Sequence, residues 1–165
     1  APLLVNCRAR GAYTSLGNKY FDKVVRDSRE RFGFVCYESS KTVKAFYEDY
    51  KKQIQSIYLL ISDQSPQLEH TLYWQEFFGI KVPFHVGAES LAKKFDLVVI
   101  FCATKKIKRG VYETEFILIS EITDKFLRIT ERNITEQPEF YLWSHKRFKH
   151  RNKFEKWKKM KKIKD

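Results

Sequence analysis

Apolar side chains recur at helical spacing in the first third of the chain. Residues 18–33 and 41–53 each place them three or four positions apart, which predicts two amphipathic helices, with Gly33 ending the first. Residues 34–39 (FVCYES) are predicted to form a short strand between these helices. Residues 56–62 (SIYLLIS) are almost continuously apolar, which is typical of a strand buried on both faces. The alternation of strands and helices predicts a parallel sheet covered by helices.

The pattern changes in the second half. Residues 87–95 have helical periodicity and lead into an apolar strand at 97–103. The segment KKIKRG at 105–110 is predicted to turn the chain into residues 111–120, which alternate well enough to pair antiparallel with that strand. A further helix is predicted to start with Thr123 as its cap. The predicted fold class is therefore α/β, with a mixed, mostly parallel sheet and covering helices.

The length suits one domain or one large half of a domain, assigned to residues 1–151, followed by a basic tail at 152–165. Apolar residues of the tail recur every three positions from Phe154, and this spacing gives only a broad, poorly defined face on a 3.6-residue helix. The tail is predicted to be frayed in water and helical only at a membrane surface.

Positive charge is concentrated at the C-terminal end. The chain of 165 residues is 43% hydrophobic, so it can bury a core, and its net charge is +12. Residues 138–165 carry eleven Lys or Arg against three Asp or Glu. This distribution predicts an anionic partner on that side of the molecule, and nucleic acid, an anionic membrane and an acidic protein all remain open.

Several classes of protein are disfavoured. The three cysteines form no C-x-x-C pair, which argues against a disulfide framework or a cysteine-rich zinc site. His145 and His150 are five residues apart, which does not suit neighbouring ligands on one helix face, so no metal site is predicted. The chain has no phosphate-binding loop or dinucleotide fingerprint, and no cofactor is predicted. No signal peptide is visible, and no apolar run reaches the ~18–20 residues of a membrane span.

Two stretches carry candidate chemistry. Asp63 and Gln64 follow the apolar strand, at the end where open α/β sheets place ligands, although Asp-x-Ser-Pro also makes a plain turn. An aromatic loop follows, and it can line an acyl-chain pocket, rest on a membrane or form the buried edge of the core. Its rings are those of Trp74, Phe77, Phe78 and Phe84. The basic turn at 105–110 can hold phosphate or be a solvated hairpin end.

The segment PEFYLWSHKRFKHR (138–151) mixes large rings with histidines and cations. Together with four other stretches it resembles the lipid A biosynthesis acyltransferases of the lauroyl/myristoyl type. Those stretches are NKYFDK (18–23), ISDQSP (61–66), YWQEFFGIKVPFHVGAESLAKKF (73–95) and KRGVYETEF (108–116). The last segment is the most specific, since the family commonly carries a P-E-x-Y/W-L-W-x-H-R-R-W/F-K box there.

The resemblance implies a partial glycerolipid-acyltransferase-like domain that works at the cytoplasmic face of the bacterial inner membrane. It implies transfer of a fatty acyl chain from acyl carrier protein to a hydroxyl of a phosphorylated glucosamine lipid, with an anionic membrane surface as a further partner. Asp63 and Gln64 are then supporting residues of the active-site region, and Trp143 is expected to pack beneath the basic surface. The expected substrate-binding or anion-binding residues are Asn18, Lys105, Lys108, Arg109, His145, Lys146, Arg147 and Lys149.

The sequence departs from the family in two places. Members carry H-x-x-x-x-D/E as the catalytic base and its orienting acid, and that spacing is absent from the first half of this chain. Tyr13 is followed by Thr14 and Ser15, where the family has a cation and then a proline. The chain is therefore predicted to be a truncated C-terminal half that is inactive alone, unless His85 replaces the base. The alternative is a non-catalytic module that binds membranes or nucleic acid, although no helix-turn-helix or RNP pattern supports nucleic acid.

Overall fold

The computed structural model describes residues 6–162, which divide between residues 61 and 62 into two compact units. The first unit alternates strands and helices. Its elements in chain order are β1 (Arg8–Tyr13), α1 (Lys19–Glu30), β2 (Phe34–Glu38), α2 (Thr42–Lys51) and β3 (Ser56–Leu59). The three strands are parallel in the order β2-β1-β3, which confirms the parallel arrangement predicted for this part of the chain. Gly11 of β1 lies under the Phe34 ring, only 2.6 Å from where a Cβ would stand.

The prediction that residues 56–62 are buried on both faces is wrong. Strand β3 ends at Leu59 and lies at the edge of the three-stranded sheet. Ile57 and Leu59 are 45% and 53% exposed, whereas Tyr58 on the other face stacks on Phe46 of α2 with ring centroids 3.6 Å apart. The strand is half-exposed because, among the described residues, α2 covers the face that carries Tyr58.

Helix α1 presents polar groups to the sheet. Asn18 caps it by accepting hydrogen bonds from the backbone N–H groups of Tyr20 and Phe21. Asp22 accepts a hydrogen bond of 2.7 Å from the Tyr13 hydroxyl, and the Arg29 guanidinium lies 5.1 Å from the centre of the Tyr13 ring. No residue of α1 is buried, and Phe21 and Val24 are 66% and 65% exposed.

The described part of the second unit contains two hairpins and three α-helices. In chain order these are β4 (Tyr73–Phe77), β5 (Ile80–Phe84), α3 (Gly87–Phe95), β6 (Val99–Lys108), β7 (Val111–Ile119), α4 (Ile122–Glu136) and α5 (Phe154–Lys161). Both hairpins are antiparallel. The fold is mixed α/β as predicted, but the described strands form one parallel sheet of three and two antiparallel pairs, so a mostly parallel sheet is not what the structure has.

The aromatic stretch after Leu72 is a hairpin and not a loop. Strands β4 and β5 pair from Tyr73 opposite Phe84 to Phe77 opposite Ile80. Phe78 and Gly79 form the two-residue connection, both with positive φ (51° and 71°), as tight hairpin turns require. Of the four rings singled out in the sequence, Trp74, Phe77 and Phe84 therefore lie in paired strands and Phe78 lies in the turn.

Two boundaries differ from the sequence prediction around the second hairpin. Strand β6 continues to Lys108, so Lys105 and Lys106 pair with β7 instead of lying in a turn, and the register shifts by a bulge between Lys106 and Lys108. Thr123 is the second residue of α4 and not its cap. Its hydroxyl and its backbone N–H both donate to Glu89 of α3, so tertiary contact has replaced the local capping role.

The main core of the second unit lies between the β4–β5 hairpin and α4. Phe77, Val82 and Phe84 pack there against Leu127 and Ile134. A neighbouring cluster joins α3 and α4 to the inner face of the β6–β7 hairpin. No helix within residues 6–162 is long and apolar enough to cross a membrane.

The prediction of a frayed C-terminal tail is wrong for the residues up to Lys161. Trp157 of α5 is buried with Leu68 and Trp74, and its indole N–H donates to the Thr71 carbonyl at 3.1 Å. The Phe154 ring stacks beside the Trp157 ring. These contacts stabilise a helix whose own apolar spacing is weak.

Candidate anion-binding site

Residues 141–153, called the C-terminal turn segment below, connect α4 to α5 by consecutive tight turns. The N–H of Arg147 bonds the His145 carbonyl at 2.8 Å, and the N–H of Arg151 bonds the Phe148 carbonyl at 3.1 Å. Because each turn reverses the chain within a few residues, neighbouring side chains point in different directions. Arg147 and His150 are consequently buried while the cations beside them stay exposed.

Arg147 is the central residue of this segment. Its side chain is only 2% exposed, and its Cζ lies 4.0 Å from the centre of the Phe84 ring and 5.5 Å from that of Phe77. Nη1 donates a hydrogen bond of 2.9 Å to the carbonyl of Pro83 in β5. Arg147 therefore lies below the exposed cations of the segment, because strand β5 offers it aromatic faces and a carbonyl acceptor there.

The guanidinium keeps unused donors. Nε and Nη2 of Arg147 are buried and have no hydrogen-bond partner. Desolvation lowers the pKa of Arg147 to about 10, opposed by Tyr141 and by the negative charge of Asp63. Arg147 is therefore a cation at neutral pH, held in a medium of low dielectric constant with hydrogen-bonding capacity to spare.

The turn that contains Asp63 lies against the same segment. The backbone N–H of Ser65 donates to Nε2 of His145 at 2.9 Å, and the Ser65 hydroxyl is buried without a hydrogen-bond partner. Asp63 is half-buried, and its Oδ1 is likewise buried and unpaired, whereas Gln64 is exposed. Asp63 acts on Arg147 electrostatically, while its Oδ1 and the Nε and Nη2 of Arg147 have no hydrogen-bond partner. Its predicted role and that of Gln64 in the active-site region stay predictions.

Two further histidines lie near these groups. His85 follows β5, and desolvation together with the Arg147 charge lowers its pKa. His150 is buried beside the Pro66 carbonyl without a hydrogen bond of good geometry, and burial followed by the charges of Lys153 and Lys149 lowers its pKa. Both shifts favour the neutral form of the imidazole. Across residues 6–162, no group of three His, Cys, Asp or Glu side chains is arranged to hold a metal ion.

A cavity of about 250 Å³, called the Arg147 cavity below, has Arg147 among its lining residues. All of its lining residues belong to the C-terminal turn segment, and none of them is acidic. They are Tyr141, Trp143, His145, Lys146, Arg147, Phe148, Lys149 and Arg151. Lys146, Lys149 and Arg151 are exposed at its mouth, so the cavity combines a buried cation with three solvated ones. Such an arrangement attracts an anion.

The structure distributes the other expected anion ligands elsewhere. Lys105 forms an ion pair of 2.8 Å with Glu136, and Lys108 and Arg109 are exposed at the end of the β6–β7 hairpin. Asn18 uses its side-chain oxygen as a helix cap in the first unit. Four of the eight expected residues, His145, Lys146, Arg147 and Lys149, line the Arg147 cavity. Anion binding by any of the eight stays a prediction.

The aromatic side chains are also placed unevenly. Trp74, Phe77 and Phe84 are buried in core clusters, as the core alternative of the sequence analysis described, while Phe78 is 43% exposed at the hairpin turn. The prediction that Trp143 packs beneath the surface is wrong. It is 58% exposed, and its indole N–H donates to the Pro138 carbonyl while its ring meets Tyr141 edge-on.

Sequence reasoning missed Asp49, a buried carboxylate in the first unit. It accepts hydrogen bonds from Arg8 (2.9 Å), Arg10 (3.0 Å), Ser56 (2.7 Å) and Tyr58 (2.6 Å), which join α2 to β1 and β3. The signal was present in the sequence, because Asp49 stands three residues after Phe46 on the apolar face of the helix. A carboxylate at such a position requires buried partners.

The family model described as bacterial lipid A biosynthesis acyltransferase matches residues 6–150 of the chain. The match covers both units, from β1 to the C-terminal turn segment, and so includes most of the residues that line the Arg147 cavity. None of the curated proteins compared with the chain matches it.

Proposed function

Because the chain belongs to the bacterial lipid A biosynthesis acyltransferases, we propose that it serves transfer of a fatty acyl chain from acyl carrier protein to a phosphorylated glucosamine lipid. The proposed place is the cytoplasmic face of the inner membrane. Within this reaction the C-terminal turn segment binds the anionic head group of the acceptor lipid. The net charge of +12 also favours encounter with an acidic carrier protein.

The observation that carries the proposal is the composition of the Arg147 cavity. It has four cationic side chains and no acidic one among its lining residues, which also include Tyr141 and Trp143. Rings and cations together suit the boundary between lipid head groups and water, where cations meet phosphates and aromatic rings remain half-immersed. A basic face directed only at solvent would not place Arg147 in an apolar setting with unused donors.

We further propose that this chain alone does not transfer the acyl group. A base positioned for the acceptor hydroxyl typically contributes ~10²–10⁴-fold to such a step. The sequence has no histidine in its first half followed five residues later by an acid. Asp63 and Gln64 support the substrate in this proposal, and His85 is the candidate that must be tested as a substitute base.

The experiment compares lipid binding with turnover. Neutral vesicles containing a phosphorylated glucosamine lipid are sedimented with the protein, beside vesicles that carry the dephosphorylated lipid and beside an oligonucleotide at the same salt. We expect selective binding to the phosphorylated lipid, and a loss on reversing the charges of Lys146 and Lys149 but not that of Lys44 in the first unit. Equal binding to both vesicle types, or a preference for the oligonucleotide, would contradict the proposal.

Turnover is measured with acyl carrier protein that is loaded with a fatty acid. We expect none above the background without protein. Joining a segment that carries the family's histidine and acid at the N-terminus should restore activity. Turnover by the chain itself, abolished by His85→Ala, would show that the part of the proposal concerning the missing base is wrong.

A further inference from the structure

The unused donors of Arg147 form a specific geometric unit. Nε and Nη2 lie on the same edge of the guanidinium group and together carry three N–H bonds. This edge is the fork that binds two oxygens of one carboxylate or phosphate. Nη1 is already engaged with the Pro83 carbonyl, which fixes the orientation of the plane and leaves the fork unfilled.

The chain does not fill the fork itself. Among the described residues, Asp63 is the acid whose charge acts on Arg147, yet the two form no ion pair. The rings of Phe84 and Phe77 stabilise the cation from its face but cannot accept its in-plane N–H groups. Burying a guanidinium whose N–H donors are unpaired costs free energy. An anion that reaches these donors therefore finds a preorganised partner.

The cavity favours phosphate over a carboxylate. Lys146, Lys149 and Arg151 stand with Arg147 around one opening, and a group that carries up to two negative charges and several acceptor oxygens uses this excess of cations better than a single carboxylate. The volume of about 250 Å³ is several times the ~30 Å³ share of a liquid water molecule, so the group fits with part of its carrier.

We propose that the Arg147 cavity binds a phosphomonoester through Lys146, Lys149 and Arg151, and that a small shift of the lining side chains brings Nε and Nη2 of Arg147, which are shielded from solvent, into contact with it. The inference rests on the proposed function only for the source of that group, which would be the head group of the acceptor lipid. A free phosphate or a soluble sugar phosphate offers the same chemistry, and the experiment separates these sources.

The test uses the whole chain and two direct readouts. Inorganic phosphate and glucosamine 1-phosphate are titrated at constant ionic strength against chloride and unmodified glucosamine, by calorimetry and by following the Nε–H signal of Arg147 in NMR spectra. We expect saturable binding that shifts this signal. Arg147→Met fills the same buried space with an apolar side chain and should fold. It should bind phosphate about ten-fold or more weakly, since a bidentate charge-assisted contact is lost. Arg132→Met, an exposed cation of α4 outside the cavity, should bind like the wild type.

Asp63→Asn removes the competing carboxylate. We expect it to bind phosphate at least as tightly as the wild type. The inference is overturned if phosphate produces no saturable binding, if Arg147→Met binds like the wild type, or if the Arg147 signal responds to Asp63→Asn and not to phosphate. The last result would make Asp63 the partner of the fork.

Vesicles with the phosphorylated glucosamine lipid separate this inference from the proposed function. If soluble phosphate binds through Arg147 but the lipid does not compete with it, the phosphate site stands and the proposed acceptor is wrong. If the vesicles bind through Lys146 and Lys149 while Arg147→Met changes nothing, the proposed function stands and the phosphate site is wrong.

Discussion

The backbone N–H of Ser65 donates a hydrogen bond of 2.9 Å to Nε2 of His145, eighty residues away in the sequence. In the neutral ring this contact places the proton on Nδ1, because Nε2 must offer its lone pair. It also ties the turn that carries Asp63 to the C-terminal turn segment. Nε2 of His145 is thus a structural acceptor, and it is not free to take a proton from a substrate while the bond persists.

The first prediction concerns this bond. His145→Phe should lower the free energy of unfolding by about 1–3 kcal/mol, because the N–H of buried Ser65 loses its acceptor. His145→Gln supplies a side-chain oxygen and should recover part of the loss. Urea denaturation of the three proteins measures this order. Equal destabilisation by both substitutions would show that ring packing, and not the hydrogen bond, holds the turn.

Asp49→Asn should lower the free energy of unfolding by about 3–5 kcal/mol, since it leaves Arg8 and Arg10 without their counter-ion. Glu48→Gln is the matched control. Its carboxylate is exposed and lies 3.8 Å from Lys44, so its loss should cost no more than about 0.5 kcal/mol. Thermal and urea unfolding measure both effects. Comparable destabilisation by the two variants would show that the buried network around Asp49 is not a main source of stability.

Trp157→Ala should cost about 3–5 kcal/mol, because a buried ring and its hydrogen bond to the Thr71 carbonyl are both lost. Met160→Ala, on the exposed side of the same helix, should change stability by no more than about 0.5 kcal/mol. Hydrogen exchange provides a second check, since the amides of α5 should be protected in the wild type. Rapid hydrogen exchange throughout α5 would show that the tail is frayed, as the sequence predicted.

Stability should depend on pH through His150. Its pKa is lowered by burial and then by Lys153 and Lys149, an effect that Glu69 and the Pro66 carbonyl oppose. The unfolded chain therefore binds a proton at about pH 6.5, before the folded chain does, and the free energy of unfolding should fall as the pH drops below that value. His150→Gln should flatten this slope in urea denaturation between pH 7.5 and 5. His85, whose pKa is also lowered, contributes to the slope that remains. An unchanged slope would exclude His150 as its source.

Phe78 combines exposure with a backbone conformation that favours Asn or Gly. Its φ of 51° lies in the left-handed region, which costs a residue with a bulky side chain about 1–2 kcal/mol. Phe78→Asn should therefore raise stability, measured as a higher midpoint of thermal unfolding. If the ring contacts lipid, the same variant should bind vesicles more weakly. A more stable variant with unchanged vesicle binding would remove Phe78 from the predicted lipid contacts.

The periodicity of apolar residues was enough to predict a helix whose apolar face packs against the core. The predicted helix at 87–95 has the same bounds as α3, and residues 111–120 differ from β7 by one residue. Strand β5 escaped detection because Pro83 disfavours a strand assignment. In a two-stranded pair Pro83 is tolerated, since each strand there has an edge at which no N–H is needed.

Burial of charge was harder to predict than secondary structure. Nothing in the local pattern distinguishes Arg147 from Lys146. Arg147 is buried because it packs against the rings of Phe84 and Phe77, about 60 to 70 positions earlier in the chain. Helix α5 has the same explanation, because its order depends on Trp74 and not on its own spacing. Contacts between distant residues therefore decided what the sequence pattern left open.

The bulge between Lys106 and Lys108 opposes edge-to-edge association between copies of the protein. Strand β6 carries lysines at 105, 106 and 108 around this irregularity, and such charges and kinks discourage a foreign strand from adding to an edge. Of the two edge strands of the parallel sheet, β2 carries the charge of Glu38, whereas β3 has no charged residue, proline or bulge along Ser56–Leu59. Aggregation of concentrated protein is therefore expected to begin by strand addition at β3, and a lysine introduced at Ile57 should delay it.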